Sequence, residues 1–458
     1  MRERGGLEVS ADFTRPACST GFSFGPLYGT DSRILRAFAS AFAARIRLMT
    51  QSTHSPRAVL GLRDFRLFAA ATFMSAGLQQ MQAVAVGWDL YERTGSVLAL
   101  AWIGVAQFLP VALFFLPAGQ IADRFDRRLV MVTSQATFAC GSIGLSIAAL
   151  TLADPIWIFA FLFLTGIGQV LNRPSRDALL PMLVPTPLIP NALAFNSSLF
   201  QVASIGGPAL AGVLIASAGS AAGVYVINLV LSIITMVLAL AIRARPAASG
   251  TRPPVTLDAL FAGVRHVIKT RLILGVMVVD LFAVMFGGVS ALLPVFAKDI
   301  LHVGPVELGW LASAQALGAL GMGVFQGMRR PTRNAGNTFI IAVACYGLAM
   351  VTFGFSTSFL LSYAALVLAG AMDNLSVVLR HSVVQIYTPD ELRGRVSAVN
   401  RVFVDSSNHV GTIESSVLAA FTSPMFTAVA GGVITIAVAI IARQRFHELR
   451  DLKTLVKP

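Results

Sequence analysis

The sequence predicts an all-α polytopic membrane protein: twelve transmembrane helices arranged as two pseudo-symmetric six-helix bundles. Three observations predict it. Of 458 residues, 55% are hydrophobic and only 12% charged, and the mean hydropathy is +0.74. The apolar residues lie in long blocks free of charge. The basic residues collect between alternate blocks. A soluble globular chain carries about 25% charged residues, so this balance excludes an ordinary cytosolic enzyme. Disorder, which needs many charges and few apolar residues, is excluded as well.

No Asp, Glu, Lys or Arg occurs in residues 67–88, 94–122, 129–153, 155–172, 178–242, 308–328, 334–372 and 415–442. A helix crosses a bilayer with about 20 apolar residues. The 178–242 block is long enough for two crossings and breaks at Ala216–Ala222, while 334–372 breaks near Ser356–Ser358. Two further spans, 272–297 and 396–419, contain acids. The predicted spans are therefore 66–90, 97–119, 129–151, 155–172, 191–216, 222–242, 272–297, 306–328, 335–355, 359–380, 396–419 and 423–442. With the N-terminus inside, 25 of the 35 Lys and Arg fall in inner segments, only Arg93 and Lys298 in outer loops, and eight in residues 1–57. This is a strong positive-inside bias. An even number of spans puts both termini in the cytoplasm. The net charge of +13 and pI near 10.6 are then a topological signal, and no nucleic-acid partner is expected.

The chain divides into an extension (1–56), a first bundle (57–243), a cytoplasmic linker (244–270), a second bundle (271–442) and a cytoplasmic tail (443–458). Residues 32–49 of the extension are rich in Arg and Ala. They fit a transit peptide or surface helix, or a chain whose start is Met49. The linker opens with a Pro-rich basic stretch. It continues with Leu257, Leu260, Phe261, Val264 and Ile268 at helical spacing, an amphipathic helix on the membrane face. Shifted by 204 positions, Arg176, Pro185, Leu188, Ala194 and Asn196 fall on Arg380, Pro389, Leu392, Ala398 and Asn400. Parallel repeats of this kind occur in transporters. Cys18, Cys140 and Cys345 have no metal-ligand spacing and make no disulfide framework.

The loop after the second span reads Gly119-Gln-Ile-Ala-Asp123-Arg124-Phe-Asp126-Arg127-Arg128. Gly permits close helix approach. Asp123, at a helix end, can pair with arginines in one packing of the halves and release them in another, so the motif reads as a cytoplasmic gate. Here the sequence resembles the major facilitator superfamily, whose pattern at this loop is G-x-x-x-D-R-x-G-R-R/K. Asp126 departs from its second Gly. That departure is familiar in the efflux branch of the enterobactin exporter and macrolide pumps. RDALLP (176–181), GPALAG (207–212), LLPVFAKD (292–299), TPDELRGRVSAVN (388–400) and SSNHVGTIES (406–415) look like the same branch. The resemblance covers residues 57–452. A second-half copy of the loop motif is degenerate (Gly327, Arg329, Arg330, Arg333).

Charges are expensive in hydrocarbon, so intramembrane acids are functional candidates. Asp280, Asp373, Asp405 and Glu414 lie in predicted spans. Asp280 has no partner in its own span, which suits a proton carrier. Asp373 shares a helical face with Arg380, which fits either a salt bridge or a proton site. Asp405 and His409 stand one turn apart, a spacing that suits a proton relay or a packing pair. Glu414 lies on the opposite face among small residues. Ser75, Gln79, Gln82 and Asp89 form a polar stripe on the first span; Thr165, Gln169, Asn172 and Arg176 form one on the fourth. The resemblance implies that spans one, four, seven and ten line a central cavity. That makes Gln79, Gln82, Gln169 and Asn172 substrate-cavity candidates, with interhelical bonding as the alternative, and Arg176 and Arg380 paired loop arginines. GPALAG is similar to the Gly-Pro segment of superfamily antiporters and leans toward export.

No nucleophile–base motif, metal-ligand cluster or G-x-x-x-x-G-K-[ST] loop occurs, so no catalytic residues, metal or cofactor are expected. The expectation is a bacterial inner-membrane transporter, not an enzyme. Its partners are a small amphipathic molecule, protons and the lipid bilayer, and it works as a monomer powered by the proton gradient. Import or facilitation by the same fold is the alternative, and a polytopic enzyme or sensor the distant one.

Overall fold

In lipid every backbone polar group must bond within its own segment. Each apolar block accordingly folds as a helix. The first half holds α1 (Arg63–Thr94), α2 (Val97–Arg124), α3 (Arg127–Leu150), α4 (Pro155–Leu183), α5 (Ile189–Ala218) and α6 (Ala222–Ala241). The second holds α7 (Arg271–Gly287), α8 (Pro305–Met328), α9 (Ala335–Phe355), α10 (Phe359–Tyr387), α11 (Asp390–Phe421) and α12 (Pro424–Arg445). A linker helix, Leu257–Lys269, precedes α7, and a short helix, His447–Arg450, follows α12. This computed structural model describes residues 56–243, 257–328 and 334–452; side chains of residues 56–57, 115–116, 122–123 and 257–260 lie outside that description. The extension up to residue 55, most of the linker before Leu257, Arg329, Arg330, Arg333 and the last six residues also lie outside the described residues.

The molecule is an all-α, twelve-span membrane protein. Ten spans are long and apolar enough to qualify on composition alone. The other two are α1, diluted by Gln79, Gln80 and Gln82, and α11, which carries seven charged residues. The side chains turned outward are apolar, among them Trp102, Leu113, Leu210, Val237, Leu360 and Ile440, as lipid contact requires. The polar side chains Ser75, Gln82, Ser134, Gln135, Asn172, Asn228, Asp280 and Arg380 are buried.

Local chemistry sets the helix ends. Gly95 takes φ +59° after α1, and the Ser96 hydroxyl accepts the Ala99 N–H to start α2. Gly219, at φ +64°, makes the break predicted between the fifth and sixth spans. Asp154 caps α4 ahead of Pro155. Three helices outrun their predicted limits by six residues or more at one end: α4 to Leu183, α10 to Tyr387, and α11 back to Asp390. A charge-free window marks the part within lipid, and the helix continues past it with charged residues in water.

The seventh span differs from its prediction. The α-helix stops at Gly287, and short turns over Ser290–Leu292, Leu293–Val295 and a π-turn Phe296–Ile300 complete the crossing. The Gly287–Gly288 pair weakens the helix there, and the Tyr346 hydroxyl donates to the Gly287 carbonyl at 3.0 Å. That bond serves an acceptor the interrupted helix leaves free.

In the first half, α3 packs on α4 and α6, and α1 on α5 and α6. In the second, α9 packs on α10 and α12, and α8 on α10. The halves meet along two seams, α2 with α11 and α5 with α8, which the pseudo-symmetry exchanges. Glycines make the α5–α8 seam close. A Cβ on Gly309 would lie 2.5 Å from the Pro208 carbonyl and 3.2 Å from the Gly212 Cα. On the other seam, a Cβ on Gly104 would lie 2.8 Å from Ile413.

The linker helix turns most of the described part of its predicted apolar stripe away from the protein: Val264 is half-buried, and the buried positions, Gly263 and Val267, lie outside that stripe. Val267 is buried, and a Cβ on Gly263 would come within 2.9 Å of the Arg395 carbonyl on α11. Phe261 and Ile268 instead point outward, 66% and 60% exposed. One strip rests on protein; the other is free to enter lipid.

Candidate functional site

The connections α2–α3, α4–α5 and α10–α11 lie on one face of the molecule, called here the basic face for its arginines. The α2–α3 loop is built by capping. Asp126 accepts the Arg128 N–H at 2.9 Å and so starts α3. Arg128 donates to the Leu240 and Ile242 carbonyls at 3.3 and 2.9 Å, closing the C-terminal end of α6. Arg127 reaches Met182 of α4. Arg124 is exposed. Open space surrounds the position of a Cβ on Gly119, which corrects the expectation that this glycine admits a neighbouring helix. The side chain of Asp123 lies outside the described residues.

Inside the first half, a neutral polar network ties α1, α3 and α4. The Ser75 hydroxyl accepts from Gln135 at 2.9 Å, Asn172 at 3.0 Å and, more distantly, Gln79 at 3.5 Å. Gln82 donates to Thr165 at 3.0 Å. The side-chain oxygens of Gln82, Gln135 and Asn172 are buried without a protein partner. Gln169 is half-buried. Sequence reasoning passed over Gln135, because one Gln in an apolar span has no distinguishing pattern.

The second half holds a charged cluster instead. Arg380 of α10 is 2% exposed and Asp280 of α7 is 5% exposed. Their Nε and Oδ1 lie 3.2 Å apart. Arg380 also donates to the Asn400 side-chain oxygen on α11 at 2.6 Å. Asp280 therefore has a partner after all, on another helix, and the suggested pairing of Arg380 with Asp373 is not the ion pair formed. Asp373 is half-buried, seven residues before Arg380 on the same face of α10. The repeat puts Arg176 and Asn196 in the corresponding places of the first half. There Arg176 has only Asp177, at 3.9 Å, and the Asn196 side-chain oxygen is buried and unpaired.

Asp405 and His409 do share a face of α11, but Asp405 is engaged elsewhere. Arg173 of α4 grips both its oxygens at 2.8 Å. His409 stands against Phe108, ring centroids 6.2 Å apart. Four residues away on each helix, Arg401 reaches Asp177 at 3.3 Å. The two bridges run in opposite senses, α4 to α11 and α11 to α4, and are solvent-exposed. Glu414 contacts only the neighbouring Ser415 hydroxyl, at 3.4 Å.

At the opposite face the halves close more tightly. A Cβ on Gly87 would lie 3.1 Å from Pro294, and the Tyr91 hydroxyl donates to Asp299. Both exceptional cations are occupied there. Arg93 bonds Asp89 at 2.8 Å and the Ala148 carbonyl at 2.9 Å; the Lys298 ammonium lies 6.0 Å from the Tyr91 ring centroid.

Two six-helix halves around buried polar side chains, with ion pairs bridging them, are the architecture of a transporter of the major facilitator type. The chain belongs to the transmembrane secretion effector family, whose pattern matches residues 54–455. It is similar to the enterobactin exporter EntS of Citrobacter koseri, 26% identical over 395 residues, 85% of this chain and 93% of that protein. EntS of Escherichia coli is 25% identical with the same coverage. Among solved structures, a bacterial homologue of the lysosomal transporter Spinster, inward-facing and unoccupied, matches with a TM-score of 0.65 and 16% identity. It covers 84% of this chain and 97% of that one. The nucleoside transporter NupG matches with a TM-score of 0.63 and 15% identity, covering 83% and 98%.

Proposed function

We propose that this transporter exports amphipathic small molecules, of the drug, macrolide or siderophore kind, from the bacterial cytoplasm across the inner membrane. Proton entry drives it, and one central site is exposed to each side in turn. The observation that carries the reading is the unequal closure of the two faces. On the opposite face the halves meet through glycine, proline and a half-buried hydroxyl–carboxylate bond. On the basic face α4 and α11 meet through four exposed side chains. Rocking about the two seams would exchange these conditions.

The positive-inside bias supports a cytoplasmic placement of the basic face and of both termini. The export names of the relatives support the direction, and the unpartnered oxygens of the Ser75 network supply acceptors for a substrate's donors. A proton moving inward contributes about 2.3 kcal/mol per 100 mV. A tenfold gradient of a neutral solute needs only about 1.4 kcal/mol. One monomer, a substrate and protons in the bilayer suffice.

The test is accumulation of fluorescent amphipathic dyes, and secretion of a catecholate siderophore, by cells expressing the full chain with and without a protonophore. Lower accumulation or greater secretion that the protonophore abolishes is expected. Protonophore-sensitive accumulation would mean import and overturn the direction.

A further inference from the structure

The cluster at α7, α10 and α11 contains two carboxyl groups and one guanidinium. We propose that Asp373, not Asp280, binds the exchangeable proton of this transporter, with Asp280 held as the permanent counter-ion of Arg380. The inference rests on the proton-driven reading above and assigns its proton to one atom group.

Geometry separates the two acids. Asp280 is sealed, 5% exposed, with its Oδ1 3.2 Å from Arg380, and Asn400 fixes the same guanidinium from the other side. Asp373 has no hydrogen bond or ion pair from its carboxyl to any described residue, yet it lies two turns before Arg380 on the same face of α10. One buried cation neutralises one buried carboxylate. A second carboxylate on the same face would have no described counter-ion, and an uncompensated charge is costly inside a membrane bundle.

Access separates them as well. Along α10 the stripe turned away from protein runs through Leu361, Leu368 and Val378. Asp373 lies instead on the stripe of Leu366, Ala369, Ser376 and Arg380, which faces other helices. Its residual exposure therefore lies on a side turned to other helices and not onto lipid.

Among the described residues, the surrounding elements add no other counter-charge. From α7 comes Asp280 and from α9 the buried Tyr346, whose hydroxyl is bonded to the Gly287 carbonyl. From α8 comes Gln326, bonded to Asn374 at 3.2 Å, and from α11 Asn400. On α10 itself stand Arg380 and, next to it, His381, which feels the Arg380 charge. When Asp373 releases its proton, it competes with Asp280 for one guanidinium. The competition pulls α10 against α7 and α11, which Arg380 joins.

The test is labelling of the purified full chain in detergent at neutral pH with dicyclohexylcarbodiimide. This reagent adds to a protonated buried carboxyl to give a stable N-acylurea, located by peptide mass spectrometry. The adduct is expected at Asp373, with Asp280 unlabelled, and Asp373→Asn should remove it. Asp280→Asn gives Asp373 sole claim on Arg380, so Asp373 should ionise and its labelling fall to background. Should Asp280→Asn fail to fold, the wild-type map alone decides. An adduct on Asp280, Asp405 or Glu414 in place of Asp373, or no adduct at all, would overturn the assignment. Labelling needs no substrate. A labelled Asp373 in a chain that exports nothing would sink the export reading and leave this site standing.

Discussion

A single side chain can set where a span begins, and Asp126 does so. Its carboxylate serves the first N–H groups of α3, where the family pattern has glycine. Replacing an acidic cap by Ala costs about 1 kcal/mol, and by Gly only a few tenths. Asp126→Ala should therefore melt below the parent in detergent, with Asp126→Gly between them; equal melting of all three would remove the cap from the account. Ser75 bears more. It accepts from Gln135 and Asn172, and each donor left buried without a partner costs about 1–3 kcal/mol. Ser75→Ala should lower stability by roughly 2 kcal/mol or more by this reckoning. Ser198→Ala, which removes only a bond to its own helix, is the control. Asp280, Gln82 and Asn172 are visible in the sequence because polar atoms in apolar spans stand out. Their partners are not visible, since Arg380 is supplied to Asp280 from a helix three spans later.

Helices are legible from the chain in number and order, and the physical reason limits what more can be read. Lipid selects for apolar runs, so every crossing leaves a block, and Gly95, Asp154 and Gly219 mark the edges. The ends of α4 and α11 are hidden because helix propensity continues after the apolar run stops. The break in α7 escapes for the opposite reason: its residues remain apolar through Ala297, while Gly287–Gly288 and Tyr346 interrupt the bonding. The linker helix shows how an element can be predicted correctly and its face only in part. Periodicity finds the apolar stripe, but the contact with α11 depends on Gly263, which a hydrophobic pattern ignores. A larger side chain there meets backbone. Gly263→Leu should lift the linker helix from α11, seen as faster amide hydrogen exchange over Leu257–Lys269 with the spans unchanged. Exchange equal to the parent would show that the helix docks through its other strip.

At the scale of the whole molecule, the two faces obey different physics. The opposite face is held by shape: Gly87 on Pro294, Gly212 beside Gly309, contacts that a methyl group would obstruct. The basic face is held by charge, with Arg173 on Asp405 and Arg401 on Asp177, side chains that remain 26–54% exposed. Exposed pairs are worth about 0.2–1 kcal/mol each and weaken in salt. Two such pairs cannot lock a transporter, but they can bias it, because about 1 kcal/mol changes the ratio of two states roughly fivefold. Their arrangement makes a demanding test. Each helix contributes one cation and one anion a turn apart, so reversing one helix alone sets like charges against each other. Arg173→Asp with Asp177→Arg should open the basic face, measured as faster alkylation of a cysteine placed on the inner part of α4. Reversing α11 too, with Arg401→Asp and Asp405→Arg, should restore the parent rate. High salt should speed alkylation in the parent and matter less in variants without the pairs. If the double reversal fails to restore closure while both proteins remain folded, the four side chains are solvated neighbours, and the basic face must be governed by the helix ends themselves.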